Sequence, residues 1–291
     1  MKRFILFLAI IISFGLFPLV TDAAALPEAD SKHYTFAVIP YYTPEKIWKL
    51  FTPFVDYLNK TTGQSWKLQL YNNHEEFVED MCNGKISIAL AGPVPLGRAY
   101  NKCGVKPMLV ALGKSGKPSY HSVLITNDPE VRSISDLKGR KIGLFKGSTA
   151  AHILPVKMLK SSGVRLSETK PVFLESQDRI VSALMAGELS AGGMKEALYQ
   201  RLGKANLRVL ATSEEVPNFA LAALPSLPAK VREKVVAELR MIKPLANANH
   251  AELVKNWDDE VKNGFTEPGK DFLPSILNLY SVFWEVTNEL R

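Results

Sequence analysis

Two hydroxyl side chains, Ser148 and Thr149, stand between a predicted strand and a predicted helix in the stretch KIGLFKGSTAAHILPVKML, residues 141–159. The apolar run at 142–145 is typical of a short buried strand, and apolar residues recur at helical spacing after the pair. A helix start presents unpaired backbone N–H groups at the positive end of the helix dipole, which is how proteins hold phosphate-like anions. This stretch therefore suggests binding of a small oxyanion.

The same pair has an explanation that involves no ligand. Ser and Thr are common N-caps, because their side-chain oxygen accepts a hydrogen bond from an N–H group of the first helical turn. Ser148 could therefore serve only to start the helix. The pair alone leaves both interpretations open.

Residue patterns for catalysis or for metal binding are missing from the sequence. It contains no Gly-x-Ser-x-Gly turn, no Gly-x-x-x-x-Gly-Lys-Ser/Thr phosphate loop and no His-Glu-x-x-His helix. The five histidines show no zinc-like spacing, and there is no Cys-x-x-Cys pair. We therefore predict no enzyme activity, no metal and no cofactor.

Strands and helices alternate along the chain in two successive sets. The first set is predicted to contain the strands YTFAVIP, WKLQLY, ISIALAG and PMLVALG, and the second KIGLF, PVFLE, ELSAGG and LRVLAT. The segment YHSVLITN is predicted to carry the chain out of the first sheet as one strand. After the strand VPNFALAAL we predict only helices, at 228–241, 248–261 and 272–290.

Two alternating sets predict an α/β protein of two lobes, because a sheet with parallel strands needs crossover helices on its faces. We place the first lobe at 26–116 and 213–291 and the second at 117–212. Both lobes should hold mixed sheets flanked by helices, with the C-terminal helices packed on the first lobe. A ligand is then expected between the lobes, at the carboxyl ends of the strands.

The N-terminus carries a segment typical of export. Lys2 and Arg3 precede an apolar run at 4–16, and alanines follow at 23–25, which predicts a cleavable signal peptide at 1–25 and a free periplasmic protein. The 291 residues, 46% hydrophobic and 22% charged, have the composition of an ordinary globular protein. The net charge of +7 is dispersed and no nucleic-acid-binding motif accompanies it, so nucleic acid is not an expected partner.

The two cysteines, Cys82 and Cys103, each lie near the end of a predicted helix just before a strand. In an oxidising compartment such a pair can form a disulfide that joins neighbouring helix ends. Two buried thiols would fit the same positions. The sequence leaves the two possibilities open.

Five segments follow one another in a fixed order: IPYYTPEKIWKLFTPFVDYLNKTTG, GKISIALAGP, YHSVLITNDPEVRSISDLKGRKIGL, GSTAAHILPVKML and ESQDRIVSALMAGELSAGG. Together they give a sequence that resembles the phosphate/phosphite/phosphonate-binding proteins of ABC importers over residues 36–224. The resemblance implies a two-lobed type II periplasmic binding protein fold, which closes on its ligand like a Venus flytrap.

The resemblance also implies which residues bind the ligand. The oxyanion-holding pair of the family falls on Ser148 and Thr149, and its cleft tyrosine falls on Tyr120. The position of a second cleft tyrosine is held by His74, and that of a histidine by Gln177. We keep both of these substituted positions as ligand-binding candidates.

Other positions near the expected cleft are less clear. Tyr41 and Tyr42 follow the first strand, and we expect one of them, assigned as Tyr42, to face the ligand. Lys195 could add positive charge, although lysines are more often at the surface. His152 is expected to pack along its helix. Phe219 replaces an acidic residue that contacts the amino group in aminophosphonate binders, which favours a ligand without a cationic tail.

We therefore predict a monomeric periplasmic protein that captures a small oxyanion (phosphonate, phosphite or phosphate-like) and delivers it to an ABC permease in the inner membrane. Two alternatives stay open. One is a sensory or accessory protein that presents its ligand to a receptor. The other is a secreted enzyme on the same scaffold, for which His74 is the only attractive base or nucleophile.

Overall fold

A computed structural model of the chain describes residues 33–202 and 206–288. Its strands are β1 (His33–Val38), β2 (Ser65–Gln69), β3 (Ile88–Ala91), β4 (Lys106–Ala111), β5 (Ser119–Tyr120), β6 (Ser122–Thr126), β7 (Lys141–Leu144), β8 (Lys170–Phe173), β9 (Ala191–Lys195), β10 (Arg208–Thr212), β11 (Val216–Pro217), β12 (Ala220–Ala223) and β13 (Phe265–Thr266). Its helices are α1 (Pro44–Thr62), α2 (His74–Cys82), α3 (Pro93–Cys103), α4 (Leu154–Ser161), α5 (Gln177–Met185), α6 (Glu196–Arg201), α7 (Ala229–Met241), α8 (Ala248–Leu253) and α9 (Phe272–Asn288). A π-helical turn, Thr149–Ile153, leads into α4. The predicted signal peptide at 1–25 lies outside the described residues.

The strands form two mixed sheets. The first sheet has the order β13-β4-β12-β3-β1-β2, with β1 parallel to β2 and β3, and with β12 and β13 antiparallel to their neighbours. The second sheet has the order β10-β6-β9-β7-β8, in which β7 is parallel to β8 and β9, and β6 is antiparallel to β9 and β10. Strands β5 and β11 pair antiparallel where the chain passes between the sheets. The predicted α/β class with mixed sheets is confirmed. Parallel neighbours such as β1 and β2 need a crossover helix between them, which is why helices alternate with the strands.

Helix α1 shows how the sequence builds the first layer. Its apolar residues Ile47, Phe51, Phe54 and Leu58 recur every three or four positions and are 0–2% exposed. Burying each of them contributes about 1.5–3 kcal/mol of transfer free energy. The helix ends at Gly63, which has the left-handed φ of 66° that favours glycine. This packing fixes the loop between β1 and α1, which reaches the candidate site.

The C-terminal helices pack on the first sheet and its helices, as predicted. Helix α7 contacts α1 and β4, and α9 lies along α3. Gly97 of α3 permits this approach, since a Cβ there would lie 2.9 Å from the Cβ of Tyr280. Helix α9 also places Leu279 and Phe283 in the core of the second sheet. Among the described residues, no helix combines the length and the apolar character needed to cross a bilayer.

The segment after α7 differs from the prediction. The helix predicted at 248–261 ends at Leu253, and the strand β13 follows where only helices were expected. Asp258 explains the early end, because its carboxylate accepts the N–H of Glu260 at 2.9 Å and so stabilises a turn in place of a helix. The predicted strand YHSVLITN is likewise divided into β5 and β6.

The two cysteines are bonded in the structure. The sulfur atoms of Cys82 and Cys103 lie 2.03 Å apart, and the Cα atoms 5.4 Å apart. The bond joins the last residue of α2 to the last residue of α3. It thus ties together the two helices whose first residues reach the candidate site.

Candidate ligand-binding site

A small cavity lies where strands of both sheets end. It follows the carboxyl ends of β1, β3, β7 and β8, and it has about 10 Å³ of space for the centre of a water-sized molecule. About one water molecule would fill that space. The lining residues are Ile39, Tyr41, His74, Gly92, Pro95, Tyr120, Ser148, Thr149, Ala150, Gln177 and Phe219.

The start of the π-helical turn forms one wall of the cavity. Ser148 is its N-cap, with Oγ accepting the N–H of Ala151 at 3.1 Å. The first N–H groups of a helix have no carbonyl partner within it, and here Thr149 and Ala150 supply them. Both residues line the cavity. Ser148 therefore caps this turn, and its role in anion binding stays a prediction.

Thr149 connects this wall to the opposite one. Its Oγ1 accepts the N–H of Val94, in the first turn of α3, at 2.9 Å. The N-cap of α3 is Gly92, which offers no side-chain cap, and a Cβ at that position would lie 3.1 Å from the Phe219 ring. Thr149 therefore caps a helix of the first sheet from a turn of the second. Its hydroxyl hydrogen can still be donated to a ligand oxygen.

Tyr120 and His74 bring polar atoms without partners into the cavity. The Tyr120 hydroxyl and the His74 Nδ1 are buried and have no hydrogen-bond partner among the described residues. Burial, and then the negative charge of Glu260, raise the pKa of Tyr120 well above its ordinary value, so the phenol keeps its proton and can donate it. Unpaired buried polar atoms are costly, and a bound ligand can satisfy them.

His74 is neutral at physiological pH. It begins α2, and its Nε2 lies 3.0 Å from the carbonyl oxygen of Pro40. Burial lowers the pKa of His74 to about 4, although the Pro40 carbonyl opposes that shift. The ring packs edge-on against Phe145 at 4.5 Å between centroids. His74 therefore offers a hydrogen-bonding nitrogen rather than a positive charge.

Gln177 also lines the cavity, as the first residue of α5. Its Oε1 accepts the backbone N–H of Lys195 at 2.8 Å, and its own N–H donates to the carbonyl of Tyr41 at 3.3 Å. The side-chain oxygen is therefore engaged, and the side-chain NH₂ group is the part that remains a donor for a ligand.

Tyr42, which the sequence analysis assigned to the site, does not line this cavity, whereas its neighbour Tyr41 does. Tyr41 lines the cavity and donates its hydroxyl to Asp258 at 2.6 Å. Tyr42 is not among the lining residues: its hydroxyl is hydrogen-bonded to Arg201, and the ammonium of Lys46 lies 3.6 Å from its ring centroid. The two rings contact one another, with their centroids 4.5 Å apart.

Lys195 is buried, whereas a position at the surface is the more common one for a lysine. It is 3% exposed, and its ammonium lies 2.5 Å from Glu260 and 2.7 Å from Asn218. Burial lowers the pKa of Lys195, and the Glu260 carboxylate opposes the shift. His152 is buried too, but its Nδ1 accepts the N–H of Gly147 at 3.2 Å and it does not line the cavity.

Phe219 lies in the wall of the cavity. Its ring meets that of Tyr41 edge-on at 5.7 Å and that of Tyr120 at 6.3 Å. The wall at this position is therefore apolar. Within the described residues no cluster of three or more His, Cys, Asp or Glu side chains could hold a metal ion.

Comparison with known proteins decides the family. The family model described as ABC transporter, phosphonate, periplasmic substrate-binding protein matches residues 36–268. The chain belongs to this family. The phosphate-import protein PhnD of Mycolicibacterium smegmatis is 24% identical over 242 residues, which cover 75% of this chain and 73% of that protein.

Solved structures of the family share the fold. A binding protein component of an ABC phosphonate transporter from Pseudomonas aeruginosa superposes with a TM-score of 0.76 at 19% identity, over 89% of this chain and 88% of that one. PhnD1 from Prochlorococcus marinus (MIT 9301), in complex with methylphosphonate, gives a TM-score of 0.74 at 16% identity, over 89% and 99%. The predicted family and the periplasmic binding protein fold are thereby confirmed. The chain is a member of a family of substrate-binding components of ABC transporters.

Proposed function

We propose that this chain binds a small tetrahedral oxyanion of the phosphonate, phosphite or phosphate type in the cavity described above. The observation that carries the proposal is the meeting of the helix start at Ser148 and Thr149 with the unpaired Tyr120 hydroxyl in one small cavity. Backbone N–H groups, two hydroxyls and a phenol form a set of donors aimed at one anion. His74 and Gln177 complete the set with a nitrogen and an amide.

The size of the cavity supports a small ligand. The lining side chains leave room for about one water molecule, so even a compact tetrahedral anion requires the cavity to widen, and a bulky ligand requires it to widen much further. Apolar neighbours such as Phe219 and Ile39 favour a short uncharged substituent on the anion. Phosphite, phosphate and methylphosphonate are ligands of this kind.

The binding cycle follows from the two sheets. We propose that the lobes at 26–116 with 213–291, and at 117–212, close on the anion by hinge motion at the β5 and β11 crossovers. The closed protein, acting as a free periplasmic monomer without catalysis, would then deliver its ligand to a permease in the inner membrane. The paired β5 and β11 strands are suited to a hinge, because both chain crossovers run side by side there.

A thermal-shift panel tests this function directly. The protein is scanned with phosphate, phosphite, methylphosphonate, 2-aminoethylphosphonate, sulfate and acetate. A ligand at a thousand times its Kd stabilises the folded protein by about 4 kcal/mol, which raises the Tm visibly. We expect a shift with at least one phosphorus oxyanion and a clearly smaller shift in Tyr120→Phe. No shift with any of them would contradict the proposal, and turnover of a phosphonate would contradict the absence of catalysis.

A further inference from the structure

One buried ammonium lies directly behind the ligand cavity. The Nζ of Lys195 sits 4.3 Å from the ring centroid of Tyr120 and 4.4 Å from that of Phe219. Glu260 accepts from it at 2.5 Å and Asn218 at 2.7 Å. Lys195 and Glu260 are 3% and 5% exposed. The ammonium is therefore enclosed by a carboxylate, an amide oxygen and two aromatic faces.

This ammonium also separates two cavities. Tyr120 and Phe219 line the ligand cavity, whereas Lys195, Glu260 and Asn218 line a second cavity of about 340 Å³ on the other side. Tyr120 lines both. A substituent that left the anion in this direction would therefore meet the two rings first, and then the Lys195 ammonium behind them, before it reached the larger space.

The surroundings of Lys195 are those that a cationic ligand tail would require. A buried ammonium needs a carboxylate and further acceptors to offset its loss of hydration, and aromatic faces add to the attraction. The carboxylate, the amide oxygen and the two aromatic faces are all present, and they already contact the ammonium of Lys195. A second cation at this place would face a like charge and a carboxylate that is already neutralised.

We propose that Lys195 fills the tail subsite of the ligand cleft with its own ammonium, and so restricts the protein to small oxyanions with a short uncharged tail. The inference rests on the proposed function, since it specifies which members of the oxyanion class the same cleft accepts. It assigns the choice of ligand to a charged side chain of the second sheet and its partners, Glu260 and Asn218.

A matched pair of ligands isolates the role of charge. 2-Aminoethylphosphonate and n-propylphosphonate have the same number of heavy atoms. They differ at the end of the tail, which is an ammonium group in the first ligand and a methyl group in the second. The quantity measured by calorimetry is the ratio of their Kd values. In the unmodified protein we expect 2-aminoethylphosphonate to bind at least tenfold more weakly than n-propylphosphonate.

Removal of the internal ammonium should weaken or abolish that preference. In Lys195→Ala the carboxylate of Glu260 and the two rings become available to the ligand, so the Kd ratio should shift by at least tenfold toward 2-aminoethylphosphonate. The double variant Lys195→Ala/Glu260→Gln lacks the carboxylate and should lose that gain. Circular dichroism and the cooperativity of thermal unfolding establish that both variants are folded.

The outcomes are separable from those of the proposed function. Binding of methylphosphonate by the unmodified protein tests the oxyanion site alone, and its absence together with that of phosphite and phosphate overturns the function and the inference with it. An unchanged Kd ratio in folded Lys195→Ala overturns the inference only, as does equal binding of the two matched ligands by the unmodified protein.

A second variant keeps the test valid if Lys195→Ala does not fold. In Phe219→Asp a new carboxylate would stand next to the Lys195 ammonium and pair with it, because Nζ already lies 4.4 Å from the centre of the ring it replaces. Removal of the ring changes the cavity wall for both ligands, so we expect Phe219→Asp to shift the Kd ratio by less than tenfold. A tenfold shift toward 2-aminoethylphosphonate in this variant would show that the ligand ammonium, and not Lys195, occupies the subsite.

Discussion

Replacement of Thr149 by valine is the most informative single change to the anion site. The two side chains have nearly the same shape, so the substitution removes the hydroxyl and leaves the packing intact. Thr149 is 4% exposed, and its Oγ1 accepts the Val94 N–H at 2.9 Å. Two separate effects are expected, one on folding and one on binding.

The effect on folding comes from the Val94 N–H, which would be left without its partner. A buried donor without an acceptor costs about 1–3 kcal/mol in the free energy of unfolding. Denaturation with urea measures this cost in the absence of ligand. Thr149→Ser keeps the hydroxyl and should recover most of the lost stability, which makes it the matched control.

The expected effect on binding comes from the hydrogen that Thr149 would donate to the anion in the proposed site. A hydrogen bond to a charged group contributes about 1.5–3 kcal/mol, which corresponds to a roughly 10- to 150-fold increase in Kd. Calorimetry with phosphite and methylphosphonate measures it, with Thr149→Ser again as the control. A Kd for Thr149→Val within twofold of the unmodified protein would refute a ligand contact and leave Thr149 as the cap of α3 only.

Three further predictions concern the rest of the molecule. Denatured, unreduced protein should show no free thiol, and replacing Cys82 and Cys103 by serine should cost about 3 kcal/mol of stability through the freed loop; two titratable thiols would contradict the bond. Stability should fall as the pH decreases from about 6.5 to about 4, because His74 and His152 take up protons near pH 6.5 when unfolded but only near 4 when folded. Each imidazole contributes roughly 3 kcal/mol across that window, and a flat stability profile by urea denaturation would contradict both shifts. Gly193→Ala should destabilise the fold by more than 1 kcal/mol, since a Cβ there would lie 2.2 Å from a proline carbon of α4; an unchanged Tm would show that α4 can move aside.

The sequence predicts the parts of this site that local patterns determine. A strand, a small-residue turn and a helix must place Ser148 and Thr149 at the carboxyl end of a sheet, whatever the remainder of the chain does. Tyr120 was found only through the family resemblance, because a tyrosine in a strand carries no signal of its own. The assignment of Tyr42 rather than Tyr41 had no support from a local pattern, since neighbouring loop residues have no periodicity that tells which one faces inward.

Long-range contacts explain the features that the sequence did not reveal. Lys195 is buried because it pairs with Asn218 and Glu260. These partners lie 23 and 65 residues further along the chain. No local sequence pattern predicts such a pairing, and a single lysine after a strand usually points to solvent. The early end of α8 has the same origin, because the turn that follows it carries Asp258 to Tyr41 and Glu260 to Lys195.

The burial of the site has a kinetic consequence. An anion bound as proposed, among side chains that are 2–7% exposed, could leave only when the two sheets separate, so its residence time would be limited by the frequency of opening. Two surface ion pairs join the sheets, Lys46 with Asp178 and Arg201 with Asp259. Salt screens such exposed pairs but acts far less on the buried pair of Lys195. In the proposed function, ionic strength would therefore adjust how long the protein retains a bound anion.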